Sequence, residues 1–219
     1  MGALLVALWL AAIPNGAAAQ NRVPDFAPGF GLVYGEGRTE EDAASKRFGF
    51  TTRRLTDGGR AGTLAILFEE HNDGVPLELL DSSLSASSVE LRYQSVFAEL
   101  KRHFPMGANF HFYWGLRGGF TRITGKIRPG GGQPERKFES DQIAPLALLA
   151  LPLAFENPGF LLLAFVDGTS FGLMFDIVPN KFWLDLQVSA TLIPNYRDDF
   201  VVIDEPAIVT QTLQLALVF

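Results

Sequence analysis

The chain has 219 residues, a formal charge of −6, three histidines and no cysteine. That acidic balance, without a lysine or arginine stripe, argues against nucleic acid, whose binding depends on neutralising phosphates. The missing cysteines exclude disulfide staples, thiolate metal sites and thiol nucleophiles, so stability must come from packing and backbone hydrogen bonds. No residue pattern asks for a metal or a cofactor.

The chain opens "MGALLVALWLAAIPNGAAAQ". An apolar run from Ala3 to Ile13 is too short to span a bilayer, and a Pro14-Asn15-Gly16 breaker and three alanines follow it. This is the order of a cleaved secretory signal over residues 1–19, although no Lys or Arg precedes the run. Residues 20–219 then form one domain.

From there the period is that of strands, expected at 29–37, 47–55, 61–70, 89–100, 108–124, 140–155, 160–167, 170–177, 181–193 and 207–219. In "NFHFYWGLRGGFTRI", Phe110, Phe112, Trp114, Leu116 and Phe120 fall on one face, against His111, Tyr113, Gly115, Arg117 and Thr121 on the other. "KFWLDLQVSATLI" repeats the pattern, with Leu184, Leu186 and Val188 opposed to Asp185, Gln187 and Ser189. The segments "IAPLALLALPLAF", "FLLLAFV" and "FGLMF" are apolar on both faces instead. Pro145 and Pro152 argue against a helix there, since each proline deletes a helical hydrogen bond, and they point to strands with an apolar inner face.

Alternation alone fits both a soluble sandwich and a membrane barrel, in which the apolar face looks at lipid. Three features favour the barrel. Apolar faces run for about the 9–11 residues that a tilted membrane strand needs, where soluble strands run about 5–6. Aromatics such as Phe104, Phe110, Phe155, Phe160 and Phe182 cluster near strand ends, as interfacial girdles require. Short connections at 56–60, 101–107, 156–159 and 178–181 alternate with long ones at 38–46, 71–88, 125–139 and 194–206. The expected fold is therefore all-β, a closed antiparallel transmembrane barrel of ten strands, with eight as the alternative. The count turns on Asp167-Gly168-Thr169: read as a turn it splits 160–177 into two strands and keeps the number even.

The chain ends "TLQLALVF", with Leu213, Leu215, Leu217 and Phe219 on one face. This terminus resembles the β-signal of small Gram-negative outer-membrane β-barrel proteins, a final Phe with apolar residues at alternate positions before it. An upstream aromatic often found in that signal is replaced by Gln211. The resemblance covers nearly all of residues 20–219. It implies a bacterial outer-membrane location, a monomer, recognition by the barrel-assembly machinery, and outer-membrane lipid and lipopolysaccharide as partners. Closure of the last strand on the first would leave no unpaired edge in lipid.

Seven charges have inward parity in this reading: Glu36, Arg53, Glu90, Arg92, Arg117, Asp176 and Asp185. They would form an internal network of opposite charges, because a buried charge left unpaired is costly. Pro145 and Pro152 are candidates for a lateral gate between interior and membrane, because proline weakens strand pairing. His71 is expected at the start of an outer loop, His103 in a short turn, and His111 facing inward. The His and Ser two apart of outer-membrane lipid A deacylases are absent, since Phe112 and Tyr113 follow His111. The expected function is a narrow channel or binding protein for a small, apolar solute. A lipid-modifying enzyme and a structural or surface-interaction barrel without transport stand open beside it.

Overall fold

The computed structural model describes residues 29–52, 55–57, 60–73, 78–80, 88–128, 134–143, 145–146, 161–179, 181–193, 195–197, 200–203 and 207–219. The expected signal segment 1–19, Arg53 and Pro152 lie outside these residues.

Eight strands form the wall: β1 (Phe30–Thr39), β2 (Ala44–Thr52), β4 (Arg60–Asn72), β6 (Ser88–Pro105), β7 (Phe110–Arg128), β9 (Val166–Val178), β10 (Phe182–Leu192) and β13 (Ala207–Val218). Each pairs antiparallel with the next, and β13 returns to β1, so the sheet is closed. A short β3 (Leu55–Asp57) extends the hairpin at the start of β4. The last residue is tied in as well, with Phe219 N donating to Phe30 O at 3.0 Å. Closure gives every wall strand a partner on both sides, which a backbone surrounded by lipid requires.

The ring is staggered. From Glu36 the pairing leads one way through Lys46, Glu70 and Gln94 to Arg122, and the other way through Leu213, Leu186 and Leu173 to Phe112. Arg122 and Phe112 lie ten residues apart on the same strand, β7. That offset tilts the strands, and a barrel of eight is just wide enough for its own side chains to fill.

The expected ten strands are corrected to eight wall positions plus one extra strand, β8 (Arg136–Ile143). The Asp167-Gly168-Thr169 turn does not exist, because β9 runs through it. Gly168 serves closeness rather than turning, since a Cβ there would lie 2.4 Å from Ala190 O on β10. Parity survives because β8 and β9 share one seat along β7. β9 pairs the lower half of β7 up to Gly118↔Val166, and β8 pairs the upper half from Phe120↔Ile143.

Between them, Pro145 and Leu146 form a turn, and Leu161–Ala164 is a single helical turn, α1, where strand was expected. Leu146 N donates to Ala164 O at 3.3 Å, clasping the base of this excursion. The expected long loop at 38–46 is also corrected. β1 and β2 reach a tight turn in which Asp42 takes φ 62° and Thr39 N donates to Ala43 O.

Along the lower wall the outward side chains are apolar and most of the inward ones polar, apart from an apolar cluster around Trp183 and Met174. Phe30, Leu32, Phe48, Phe50, Ile66, Val96, Phe112, Leu186, Val188, Leu215 and Leu217 are exposed, while Thr51, Thr63, Gln187, Ser189, Thr212 and Gln214 are buried. The arrangement inverts higher up on β6, β7 and β8. There Leu91, Tyr93, Ile123, Ile127 and Phe138 point inward, and a small sheet covers them. Its strands are β5 (Glu78–Leu79), β11 (Tyr196–Arg197) and β12 (Val201–Ile203). Phe138 stacks on Tyr196 at 5.1 Å, and the Arg136 guanidinium lies 3.5 Å over the Phe200 ring.

Candidate functional site: the barrel interior

The alternation of each strand sends every second side chain into the lumen, where three layers form. At the end carrying Phe30 and Phe219, Trp183, Met174, Val33, Ala216 and Val218 pack together. Beside them, His111 Nε2 lies 3.3 Å from Asp176 Oδ2, and Thr63 Oγ1 lies 3.0 Å from His103 Nε2. His103 and His111 meet edge to face, with ring centroids 6.2 Å apart.

The middle layer is ionic. One carboxylate oxygen of Glu69, Oε2, accepts from Nη2 of both Arg47 and Arg117 at 2.9 Å, and Ser45 Oγ donates to its other oxygen at 3.3 Å. Both guanidinia lie over the Phe97 ring, Arg117 at 3.6 Å and Arg47 at 5.4 Å from its centroid. Arg117 also donates to Ser189 Oγ at 3.1 Å, and Arg47 donates to Gln187. Below them, Asp185 accepts from Lys101 Nζ and from Tyr113 OH, both at 2.6 Å, and Lys101 lies 3.3 Å from Glu99. Gln187 joins the halves, donating to Glu99 and accepting from Gln214.

With Asp167 of β9, 4.0 Å from Arg117 Nε, every wall strand except β1 supplies a member of this layer, and β1 offers Gly31, Gly35 and Gly37 on its inner face. A hydrogen-bonded network of opposite charges is the arrangement in which buried ions are tolerated. Between the ionic and lower layers there remains a void of about 10 Å³, lined by Lys101, Met174, Trp183, Asp185 and Gln214 among others. That is about the space one water needs. The third layer is the apolar cap described above.

Of the seven charges with expected inward parity, Arg117, Asp176 and Asp185 point inward and are buried. Arg53 lies outside the described residues. Glu36, Glu90 and Arg92 are corrected: they face outward. Glu36 accepts from Tyr34 OH at 2.5 Å, Arg92 pairs with Glu70 at 2.6 Å, and Glu90 pairs with Arg128 at 2.7 Å. The reason is height along the strand. Above the lipid-facing belt the outer surface is polar, so the face that lower down would carry apolar groups carries charge.

Arg47, Glu69, Glu99 and Lys101 are the network members that the sequence reading did not single out. The alternating "SVFAELKRH" held the signal for two of them, since Glu99 and Lys101 stand opposite Val96, Ala98 and Leu100. His71 and His103 sit in strands, facing inward, and not in a loop and a turn. His71 stacks on Tyr93 at 4.3 Å, and its Nδ1 lies 2.9 Å from Asp73 O. Pro145 stands where the wall passes from β8 to β9. Leu213, Leu215, Leu217 and Phe219 form the exposed outward row of β13 and the residue after it.

An eight-stranded closed meander with a lipid-directed belt outside and ions inside is a small outer-membrane β-barrel, and a bacterial outer membrane is where this fold belongs. Among solved structures, a major outer membrane protein from Thermus thermophilus is similar over 88% of this chain and 100% of its own, at 10% identity and a TM-score of 0.57. Also similar are the attachment invasion locus protein Ail of Yersinia pestis, with 16% identity, coverage of 88% and 96% and a TM-score of 0.38, and Neisserial surface protein A, with 12%, 87% and 94%, and 0.42. No protein-family model matches the chain, and no curated protein matches it by sequence.

Proposed function

We propose that this protein is a closed, non-conducting barrel that serves as a structural and surface-interaction element of the outer membrane. The filled interior carries that reading: an ionic layer built from seven wall strands lies between two apolar layers. A solute crossing it would have to break the paired contacts of Glu69 and Asp185, each of which leaves an ion uncompensated in a buried interior. The expected narrow channel has less support than a filled barrel, and among the described residues the mid-height interior is ionic and offers no greasy chamber. Above the belt, the long hairpin of β6 and β7 with β8 forms a rigid outward face for outer-membrane lipid headgroups, lipopolysaccharide or cell-surface partners.

The purified protein in a planar bilayer should give no discrete conductance steps, and liposomes containing it should not swell in small sugars or amino acids. Stepwise conductance of the wild-type protein would overturn the reading. The row Leu213, Leu215, Leu217 and Phe219 supports client recognition by the assembly machinery. Deleting Phe219 should lower the yield of heat-modifiable barrel in the outer membrane several-fold, without changing the amount of chain synthesised. The barrel is read as a monomer, since its wall closes within one chain.

A further inference from the structure

Among the described residues the ionic layer does not balance. Three cations, Arg47, Lys101 and Arg117, face four carboxylates, Glu69, Glu99, Asp185 and Asp167, and all seven are 5% exposed or less. Glu69 and Asp185 are fully engaged, and Glu99 is held by Gln187 and Lys101. Asp167 differs from them. Both of its carboxylate oxygens are buried without a hydrogen-bond partner on another residue, and its one ion pair, to Arg117 Nε, is long at 4.0 Å.

Its position is set by the backbone. The pairing of β7 with β9 shifts register between Arg117 and Gly118, so that Arg117 pairs with Gly168 and Gly118 with Val166. Asp167 is the extra residue of a β-bulge. A bulge re-aims a side chain, and here it turns a carboxylate into the lumen at the height where β7 exchanges β9 for β8.

We infer that Asp167 is a binding site for a single positive charge drawn from solution, either a proton or an alkali cation. A buried carboxylate whose one paired cation stands 4.0 Å away and is already shared with Glu69 is costly, and Arg117 cannot offset both anions. Facing it are Arg117 of β7, Tyr93 and Glu99 of β6 and Glu69 of β4, so the anions around it outnumber the cations. Among the described residues no three carboxylate or imidazole groups converge as a chelating set, which disfavours a divalent ion. His71, two residues from Glu69 along β4, is a further titratable group of this region.

The test is linkage. Full-length protein folded in lipid vesicles is unfolded with urea at constant ionic strength while sodium is exchanged for N-methylglucamine, and separately while pH is varied at fixed sodium. If the charge is an alkali ion, the folding constant of the wild type changes up to tenfold per tenfold change in sodium, and that of Asp167→Asn does not. If it is a proton, the cation has no effect, and the folding constant falls up to tenfold per pH unit as pH rises through the titration, again only with Asp167 intact. Equal dependence of wild type and Asp167→Asn on both variables overturns the site, as does a dependence abolished by His71→Gln but kept in Asp167→Asn. Should the asparagine variant not fold, the carboxyl carbon NMR shift of wild-type Asp167 decides. A shift unmoved by sodium exchange and characteristic of a free carboxylate at every pH overturns the proposal.

Discussion

The lower and upper halves of β6 and β7 run on the same two strands and are wired in opposite senses. Below, Val96, Leu100, Phe112 and Leu116 look outward while Glu99, Lys101 and Arg117 look inward. Above, Glu90, Arg92, Arg122 and Arg128 look outward while Leu91, Tyr93, Ile123 and Ile127 look inward. The backbone is indifferent to this, because a two-residue period puts alternate side chains on either face of any strand. What decides polarity is the solvent on each side at each height: lipid outside the lower wall, water outside the upper one, and a covering sheet inside the top.

Substitutions on the four surfaces should rank accordingly. Inside the lower half, Glu69→Ala leaves Arg47 and Arg117 without their shared carboxylate and should cost about 3–5 kcal/mol in urea unfolding from vesicles. A loss under 1 kcal/mol would mean that the ionic layer is not a coupled unit. Outside the lower half, Leu186→Arg puts a charge on the lipid face and should cost about 2–4 kcal/mol near the bilayer midplane. The same change would be near neutral if that face met water. Inside the upper half, Ile127→Ala opens the cap and should cost about 2 kcal/mol, with faster amide exchange in the covering strands as its local mark.

Outside the upper half, effects should be small. Arg122 pairs with Asp141 at 2.8 Å and Glu139 at 3.2 Å, but half-exposed, and Arg122→Ala should cost less than about 1 kcal/mol. Smallest is a pH effect at Glu135. A hydrogen bond from Arg128 holds its carboxyl below the usual carboxylate range. A depressed carboxylate contributes stability above its unfolded-state value, and that contribution is lost as pH falls through the folded-state value. An NMR titration should find the Glu135 midpoint below that of a free glutamate, and Arg128→Gln should raise it toward the ordinary range, with Lys137, 3.5 Å away, holding the remainder.

The same comparison explains what could be read from the chain. The barrel, the faces of "NFHFYWGLRGG" and "KFWLDLQVSATLI", and the closure of the terminal row were legible, because strict alternation over long runs fixes the face whatever surrounds it. Glu36, Glu90 and Arg92 were misplaced because charge was taken as the mark of the inner face, although they share the parity of the outward Leu32, Val96 and Leu100; above the belt, charge outside is as comfortable as charge inside. The strand count failed at "DGT", which has the local chemistry of a turn. Its glycine answers to a neighbouring carbonyl, a tertiary fact that no window of sequence contains. Arg47 and Glu69 were overlooked for a related reason: their meaning comes from each other, across 22 residues of chain.

The shared seat of β8 and β9 along β7 bears on how such a protein can change over time. The hydrogen-bond ladder is handed from one strand to the other with the base of the intervening excursion clasped shut, so chain can be added or removed there without altering the stagger of the ring. Evolution, or an engineer grafting an epitope, has at that joint a port in the middle of the wall as well as at the tips of the loops.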